Sequence, residues 1–231
     1  MSNHNPFATL PVATDHNSQI VVSLGFLLDA LRIAPTFASK DDARTPLNQI
    51  AIAVEGKVAH VAATDGHRAC IFSETYDPAG LVRNDRRIGI CVEDVADRAK
   101  IKAAITVLKA LRKTVRAKMV PVALHVSEDG KEALVVDPQN GDVVARLSTT
   151  EETLPPIHAV IPQPKTGNAA IVRVNARYAA EAFTAIGDWH AEEWKAHAAD
   201  VAAQTDAMKP WVLRQKTSTR ESVVVTMPMR Q

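Results

Sequence analysis

The chain has 231 residues, of which 46% are hydrophobic and 23% charged, a mix that is typical of an ordinary globular protein with a sizeable core. The formal net charge of +1 argues against indiscriminate adhesion of the whole molecule to nucleic acid or membranes, but it leaves local patches open. Cys70 and Cys91 match no zinc or redox spacing and no apolar run approaches a membrane span of roughly 18 residues, so a reduced, cytoplasmic chain without a membrane partner is expected.

The chain begins with a polar segment, residues 1–19, which is predicted to be a flexible tail. Residues 23–39 place leucines at helical spacing and predict a helix that ends near Pro35. Residues 47–74 then alternate in the manner of strands around two turns that contain Gly56 and Gly66.

The same order, a helix followed by strands, then recurs twice. Helices are predicted over 94–118 and 176–205, and strands over 88–93, 120–130, 131–148, 169–175, 210–215 and 221–229, with a Pro-rich segment at 153–168. This grouping favours an α+β fold with internal repetition over a parallel βαβ sheet.

The middle helix is strongly basic on one side. It carries eight cations, and no acidic residue lies between Lys100 and Lys118. An apolar stripe would pack on the sheet, while cations at helical spacing would face away. A one-sided cationic face suits a DNA phosphate backbone, although a solvated outer face is an equal alternative. The candidate DNA-facing residues are Arg98, Lys102, Lys109, Arg112, Lys113 and Arg116.

The turn from Thr64 to Arg68 allows three interpretations. It can be an ordinary hairpin turn, a metal or catalytic site built on Asp65 and His67, or the rim of a binding groove. No third ligand or nucleophile stands nearby at a recognisable spacing. A second metal candidate shares one helix face, although an exposed polar face explains that spacing better; its members are His190, Glu193, His197 and Asp200. We therefore assign no catalytic residue, metal or cofactor.

Three distant segments bear on this choice. Leu47-Asn48 leads to Ala-Thr-Asp-Gly-His-Arg at 63–68, "LPPIHAVIP" spans 154–162, and Met-Pro-Met-Arg stands at 227–230. In this order they resemble the sliding clamp family, the β subunit of bacterial DNA polymerase III. The resemblance covers most of the chain in outline and is close only in these segments.

The resemblance implies an α+β, DNA-clamp-like fold of repeated helix-plus-antiparallel-sheet units, about three half-domains. Residues 20–155 would form a complete clamp-like domain and 156–231 a partial one. It further implies a non-catalytic processivity factor that binds DNA polymerase and other clamp-binding proteins through short hydrophobic peptide motifs. Duplex DNA would be a sequence-independent partner, and a homo-oligomer is possible. The implied groove residues are Leu47, Thr64, Gly66, His67, Arg68, Pro155, Val160, Val225, Met227, Pro228, Met229 and Arg230.

Some positions depart from the family pattern. Ala69 stands where the family usually has a large Leu, which predicts a wider pocket. Ala159 and Gln231 also differ from the residues that the family usually has at their positions. Two alternatives remain open: a clamp mimic that sequesters clamp-binding peptides without forming a ring, and a metal-dependent enzyme that uses Asp65 and His67.

Overall fold

A computed structural model of the chain describes residues 6–13, 19–41, 43–77, 85–115, 120–137, 140–161, 175–191, 200–202 and 210–228. Its α-helices are α1 (Pro6–Thr9), α2 (Leu24–Ile33), α3 (Val95–Val115), α4 (Ile157–Val160) and α5 (Ala176–Trp189). Its strands are β1 (Gln19–Ser23), β2 (Gln49–Glu55), β3 (Val58–Thr64), β4 (Arg68–Thr75), β5 (Arg86–Cys91), β6 (Pro121–Val126), β7 (Glu132–Val136), β8 (Val143–Thr150), β9 (Asp200–Ala202), β10 (Trp211–Lys216) and β11 (Arg220–Thr226).

The predicted repetition of a helix followed by strands is confirmed. Helix α2 precedes β2–β4, α3 precedes β6–β8, and α5 precedes β9–β11. The Ser23 side chain caps α2 by accepting a hydrogen bond from the Phe26 N–H, and Pro35 lies in a 3₁₀ turn directly after the helix. The third helix is shorter than predicted: α5 ends at Trp189, and residues 200–202 are a strand because they pair with β10.

All the strands join one antiparallel sheet in the order β1-β6-β7-β8-β5-β2-β3-β4-β11-β10-β9. The first two units exchange their leading strands, since β1 pairs with β6 and β5 pairs with β2. Strand β4 pairs with β11 from the Arg68–Thr226 pair to the Glu74–Arg220 pair. The two predicted domains therefore share one continuous sheet.

The main core lies between one face of the sheet and helices α2, α3 and α5. Because side chains alternate along a strand, Cys70 and Phe72 on β4 enter this core, whereas Ala69 and Ile71 point to the opposite, outer face. None of the helices in the described ranges has the length and apolar character needed to cross a membrane.

Residues 6–13 of the predicted flexible tail (1–19) pack on the outer face of the sheet, while residues 1–5 and 14–18 lie outside the described residues. Phe7 is only 1% exposed and belongs to a cluster with outer-face residues of β2, β3 and β4. Val12 bridges to Arg87 on β5. Residues 6–13 are thus held by apolar burial and by backbone pairing.

Candidate peptide-binding groove

The turn between β3 and β4 is a tightly hydrogen-bonded corner. Asp65 Oδ1 accepts hydrogen bonds from the backbone N–H groups of His67 (2.9 Å) and Arg68 (3.0 Å). Gly66 has φ +86°, a left-handed conformation that favours glycine. The Thr64 hydroxyl donates to the Arg68 carbonyl (2.7 Å) and accepts from the Gly66 N–H (3.1 Å). Asp65 therefore shapes the turn, and the described residues contain no group of three or more His, Cys, Asp or Glu side chains placed to hold a metal.

The predicted groove residue Arg68 has a side chain that is only 9% exposed. Its side chain points toward the helices because Ala69, the next residue, faces the outer side. The guanidinium pairs with Asp65 (Nε to Oδ2, 3.0 Å), contacts the Glu181 carboxylate and lies 4.5 Å from the ring centre of Tyr178. Arg68 thus fastens α5 to the turn, on the side of the sheet away from the other groove residues.

The turn is joined directly to the last strand. The Met227 N–H donates to the His67 carbonyl (2.8 Å), and Ala69 pairs with Val225 two residues further along the strands. Both His67 and Met227 have exposed side chains. Leu47 is close by, since a methyl group added to Gly66 would lie 3.8 Å from its Cδ1. Residues far apart in the sequence therefore meet at one end of the paired strands β4 and β11, which we call the β4–β11 seam.

The outer face beside this seam is apolar. Val225 is buried in a cluster with Val212 and Val223, and Ile161 packs both on this cluster and on a second one that contains Ala69 and Leu154. Pro155 follows Leu154 and is exposed. We call this surface the candidate groove; it comprises Leu47, Thr64, Gly66, His67, Ala69, Leu154, Pro155, Val225, Met227 and Pro228.

A cavity of about 330 Å³ continues the candidate groove along the outer face, between α4 and the β10–β11 turn. Its walls include His60, Ile71, Ser73, His158, Ile161 and Val223. These wall residues were not predicted from the sequence. The alternation of β4 and β11 could have identified Ile71 and Val223, because they share a face with Ala69 and Val225.

Some predicted groove residues lie outside the described residues. These are Met229, Arg230 and the side chain of Val160, whose backbone belongs to α4. The second metal candidate is also only partly described, because Glu193 and His197 fall in an undescribed range. His190 is buried, with Nε2 3.0 Å from the Ser222 hydroxyl, so it is not part of an exposed polar helix face.

The two cysteines are poorly suited to act as nucleophiles. Burial raises the pKa of Cys70, which lies in the main core. Burial, followed by the nearby carboxylates of Asp97, Glu93 and Asp94, raises the pKa of Cys91 to about 11. Because the thiolate is the nucleophilic form, neither side chain is activated at neutral pH.

Helix α3 carries most of the predicted basic face. Ile101 and Leu108 are buried against the sheet, while Lys102, Lys109 and Lys113 are exposed. Arg112 is half-buried, and Arg116 lies beyond the last described residue of the helix.

Arg98 is used differently from the exposed lysines. It donates hydrogen bonds to the carbonyls of Val92 (3.0 Å) and Glu93 (3.3 Å), so its guanidinium is held at the beginning of the helix. Among the described candidates, Lys102, Lys109 and Lys113 are the exposed cations of this helix.

Comparisons with solved structures identify the fold. The chain matches the DNA polymerase III β subunit of Thermotoga maritima over 97% of its own length and 69% of that chain, with a TM-score of 0.59 and 13% identity. It matches the β subunit of Pseudomonas aeruginosa over 92% of its own length and 66% of that chain, with a TM-score of 0.63 and 14% identity. It matches the β sliding clamp of C. crescentus over 96% of its own length and 68% of that chain, with a TM-score of 0.62 and 18% identity.

These likenesses show a sliding-clamp fold at low sequence identity, and the chain spans about two thirds of the length of each of these clamps. No protein-family model and no curated protein sequence matches the chain.

Proposed function

We propose that the protein is a sliding-clamp-like processivity factor that binds short hydrophobic peptide motifs of DNA polymerase and other clamp-binding proteins in the candidate groove. The observation that carries this proposal is the hydrogen bond from the Met227 N–H to the His67 carbonyl, followed by the Ala69–Val225 pair. Through these contacts the turn and the C-terminal segment, which sequence reasoning linked only by resemblance, form one surface. The clamp fold of the structural neighbours supports the same reading.

The chemistry of the candidate groove suits an extended apolar peptide. Val225 and its neighbours provide an apolar floor, and Met227 is a flexible, polarisable side chain that adapts to different partners. Gly66 allows a peptide backbone to approach the rim, where the exposed His67 ring can donate or accept a hydrogen bond. Binding of this kind requires no catalytic residue.

Duplex DNA would meet the other face of the molecule. The exposed Lys102, Lys109 and Lys113 lie on a helix that packs on the face of the sheet opposite the candidate groove. A peptide and DNA could then be bound at the same time. If the DNA is enclosed, weak and sequence-independent phosphate contacts are sufficient, and they permit sliding.

Enclosure of DNA and simple sequestration of peptides are two forms of this function. One observation favours enclosure of DNA. Between Val143 and Ser148, the edge of β8 that faces away from β7 pairs with no described strand. An open edge of this kind can add a strand from another chain. Light scattering at several concentrations separates the two forms, since a persistent monomer cannot close a ring.

The test of peptide binding is fluorescence anisotropy with a labelled clamp-binding peptide of a DNA polymerase. We expect a dissociation constant near micromolar, or about −8 kcal/mol, and a loss of at least about tenfold in Met227→Asp. Val107→Asp on α3 is the matched control, because Val107 and Met227 are equally exposed at 39%. Equal affinities in the wild type and in Met227→Asp would contradict the proposal.

A further inference from the structure

The N-terminal segment Pro6–Ala13, which we call the strap, carries a deeply buried aromatic ring. Phe7 is 1% exposed although its helix α1 has only four residues. Its ring stacks on His158 (centroids 6.2 Å apart, 28° between planes) and meets His60 edge-on (6.3 Å, 79°). Such burial of one aromatic side chain contributes strongly to the docking of a short segment.

The surface under Phe7 is floored by alanine. Four members of its cluster are Ala51, Ala53, Ala62 and Ala69, which come from three adjacent strands. Alanine is disfavoured in strands and leaves room above the sheet that a branched side chain would fill. Ala69 is one of these four alanines, and the sequence predicts a wider pocket at Ala69. Phe7 of the strap belongs to the same cluster.

The Phe7 pocket is continuous with the candidate groove. Ala51 pairs with Ala62, Ala62 with Ile71, and Ile71 with Val223, so these residues form one row across four strands. Ala62 and Val223 are two strand spacings apart, about 10 Å. An extended peptide covers this distance in about three residues. A peptide seated over Val223, which shares a cluster with Val225, can therefore reach the Phe7 pocket.

The strap is attached beside this pocket by a few hydrogen bonds. The Ala13 N–H donates to the Arg87 carbonyl (2.8 Å), and the Arg87 N–H donates to the Pro11 carbonyl (3.0 Å). Arg87 Nε also donates to the Leu10 carbonyl (3.1 Å). These contacts form a short parallel bridge at the edge of β5, outside the continuous ladders that hold the sheet.

We propose that the alanine-floored pocket is an aromatic-accepting subsite of the candidate groove, and that the strap occupies it as an intramolecular competitor. A partner peptide with an aromatic residue displaces Phe7 and uses the same pocket. This inference rests on the proposed peptide-binding function and specifies how that site is regulated. The apparent affinity for such a peptide is reduced by the fraction of molecules in which the strap is docked.

The test combines Phe7→Ala in the full chain with two clamp-binding peptides, one aromatic and one in which alanine replaces the aromatic residue. We expect Phe7→Ala to bind the aromatic peptide at least about tenfold more tightly than the wild type, and to bind the alanine peptide with unchanged affinity. Phe183→Ala is the matched control, because Phe183 is a half-exposed ring on α5 and its removal should change neither affinity.

A second measurement tests the docking of the strap itself. A fluorescent peptide with the sequence of residues 5–13 should bind full-length Phe7→Ala, while its Phe-to-Ala version should not. Binding of the strap peptide that the aromatic clamp-binding peptide displaces supports the inference.

Two results overturn the inference in distinguishable ways. If the clamp-binding peptide binds but Phe7→Ala brings no gain, or the two peptides do not compete, the strap is only a structural segment and the proposed function stands. If the clamp-binding peptide binds neither protein, the proposed function fails and the competition fails with it, whatever the strap peptide does.

Discussion

Arg220 on β11 and Glu74 on β4 form a buried ion pair, with Nη2 2.7 Å from the Glu74 carboxylate and side-chain exposures of 8% and 4%. Asp29 on α2 lies 2.9 Å from Nη1, and the Trp189 carbonyl at the end of α5 accepts from the same nitrogen. Burial alone would lower the pKa of Arg220, but the two carboxylates outweigh it and raise the pKa. The cluster fastens β11 to β4, to α2 and to the end of α5.

Removing the charge of Arg220 should destabilise the whole protein. In Arg220→Met the buried carboxylates of Glu74 and Asp29 lose their shared cation, although Ser23 still donates to Glu74 and Arg32 still pairs with Asp29. Loss of a buried charge partner typically costs about 3–5 kcal/mol. Urea unfolding monitored by circular dichroism measures the loss. Because the backbone pairing of β4 with β11 remains in this variant, unfolding should still be a single transition.

The matched control lies in the same hairpin. The exposed Lys216 pairs with the half-buried Glu221 at 3.7 Å, and Lys216→Met should cost less than about 1 kcal/mol. A double-mutant cycle with Glu74→Gln should show a large coupling to Arg220. Similar effects of Arg220→Met and Lys216→Met would show that the buried cluster does not hold the seam.

Gly66 is predicted to be irreplaceable in the turn. With φ at +86°, Gly66→Ala forces an L-residue into the left-handed region at a cost of about 1–2 kcal/mol, and it should also weaken peptide binding at the rim. Thermal unfolding and anisotropy check the two effects. Gly187→Ala is the opposite control: it lies in α5 with open space around an added methyl group, so it should stabilise the protein by up to about 1 kcal/mol.

The exposed lysines of α3 should govern the salt dependence of DNA binding. The triple change of Lys102, Lys109 and Lys113 to Ala should reduce the slope of log K against log salt by about 0.9 for each DNA phosphate that the protein no longer neutralises. The control is the same change at Lys57, Lys131 and Lys216, three exposed lysines elsewhere in the chain. Equal slopes in the two triple variants would indicate that α3 is an ordinary solvated helix.

Glu132 should contribute to stability in a pH-dependent manner. Hydrogen bonds from Lys100 on α3 and from Arg146 on β8 lower the pKa of Glu132 below its ordinary value of 4.5. A lowered pKa in the folded state means that the contribution is present above the unfolded pKa and is lost as the pH falls through the folded one. Stability measured by urea unfolding below about pH 4.5 should therefore decline less steeply in Glu132→Gln.

Lys100→Met should have the same effect on the acid response, because it removes the larger cause of the shift. An unchanged acid response in both variants would show that the Lys100–Glu132 contact is absent in solution.

Local features were predictable from the sequence where the cause is local. Pro35 marked the end of α2, and Gly66 marked the turn, because backbone geometry alone decides both. The helix-and-strand repetition followed from residue spacing.

Other features depend on residues far away in the chain. The ion pair between Arg68 and Glu181 joins residues more than a hundred positions apart, so no local pattern predicts it. The burial of Phe7 likewise depends on alanines spread over three strands. One signal was available in the sequence: Phe7, Leu10 and Val12 are large apolar residues within the first 19 positions, and large apolar residues are often buried.

The central claim is that partner peptides bind the candidate groove. Its most direct test is methyl chemical-shift mapping of the full chain during titration with a clamp-binding peptide. The account predicts shifts at the methyl groups of Leu47, Val225 and Met227, with none at Val107 on α3. Shifts confined to α3, or a peptide that binds without affecting the β4–β11 seam, would contradict it.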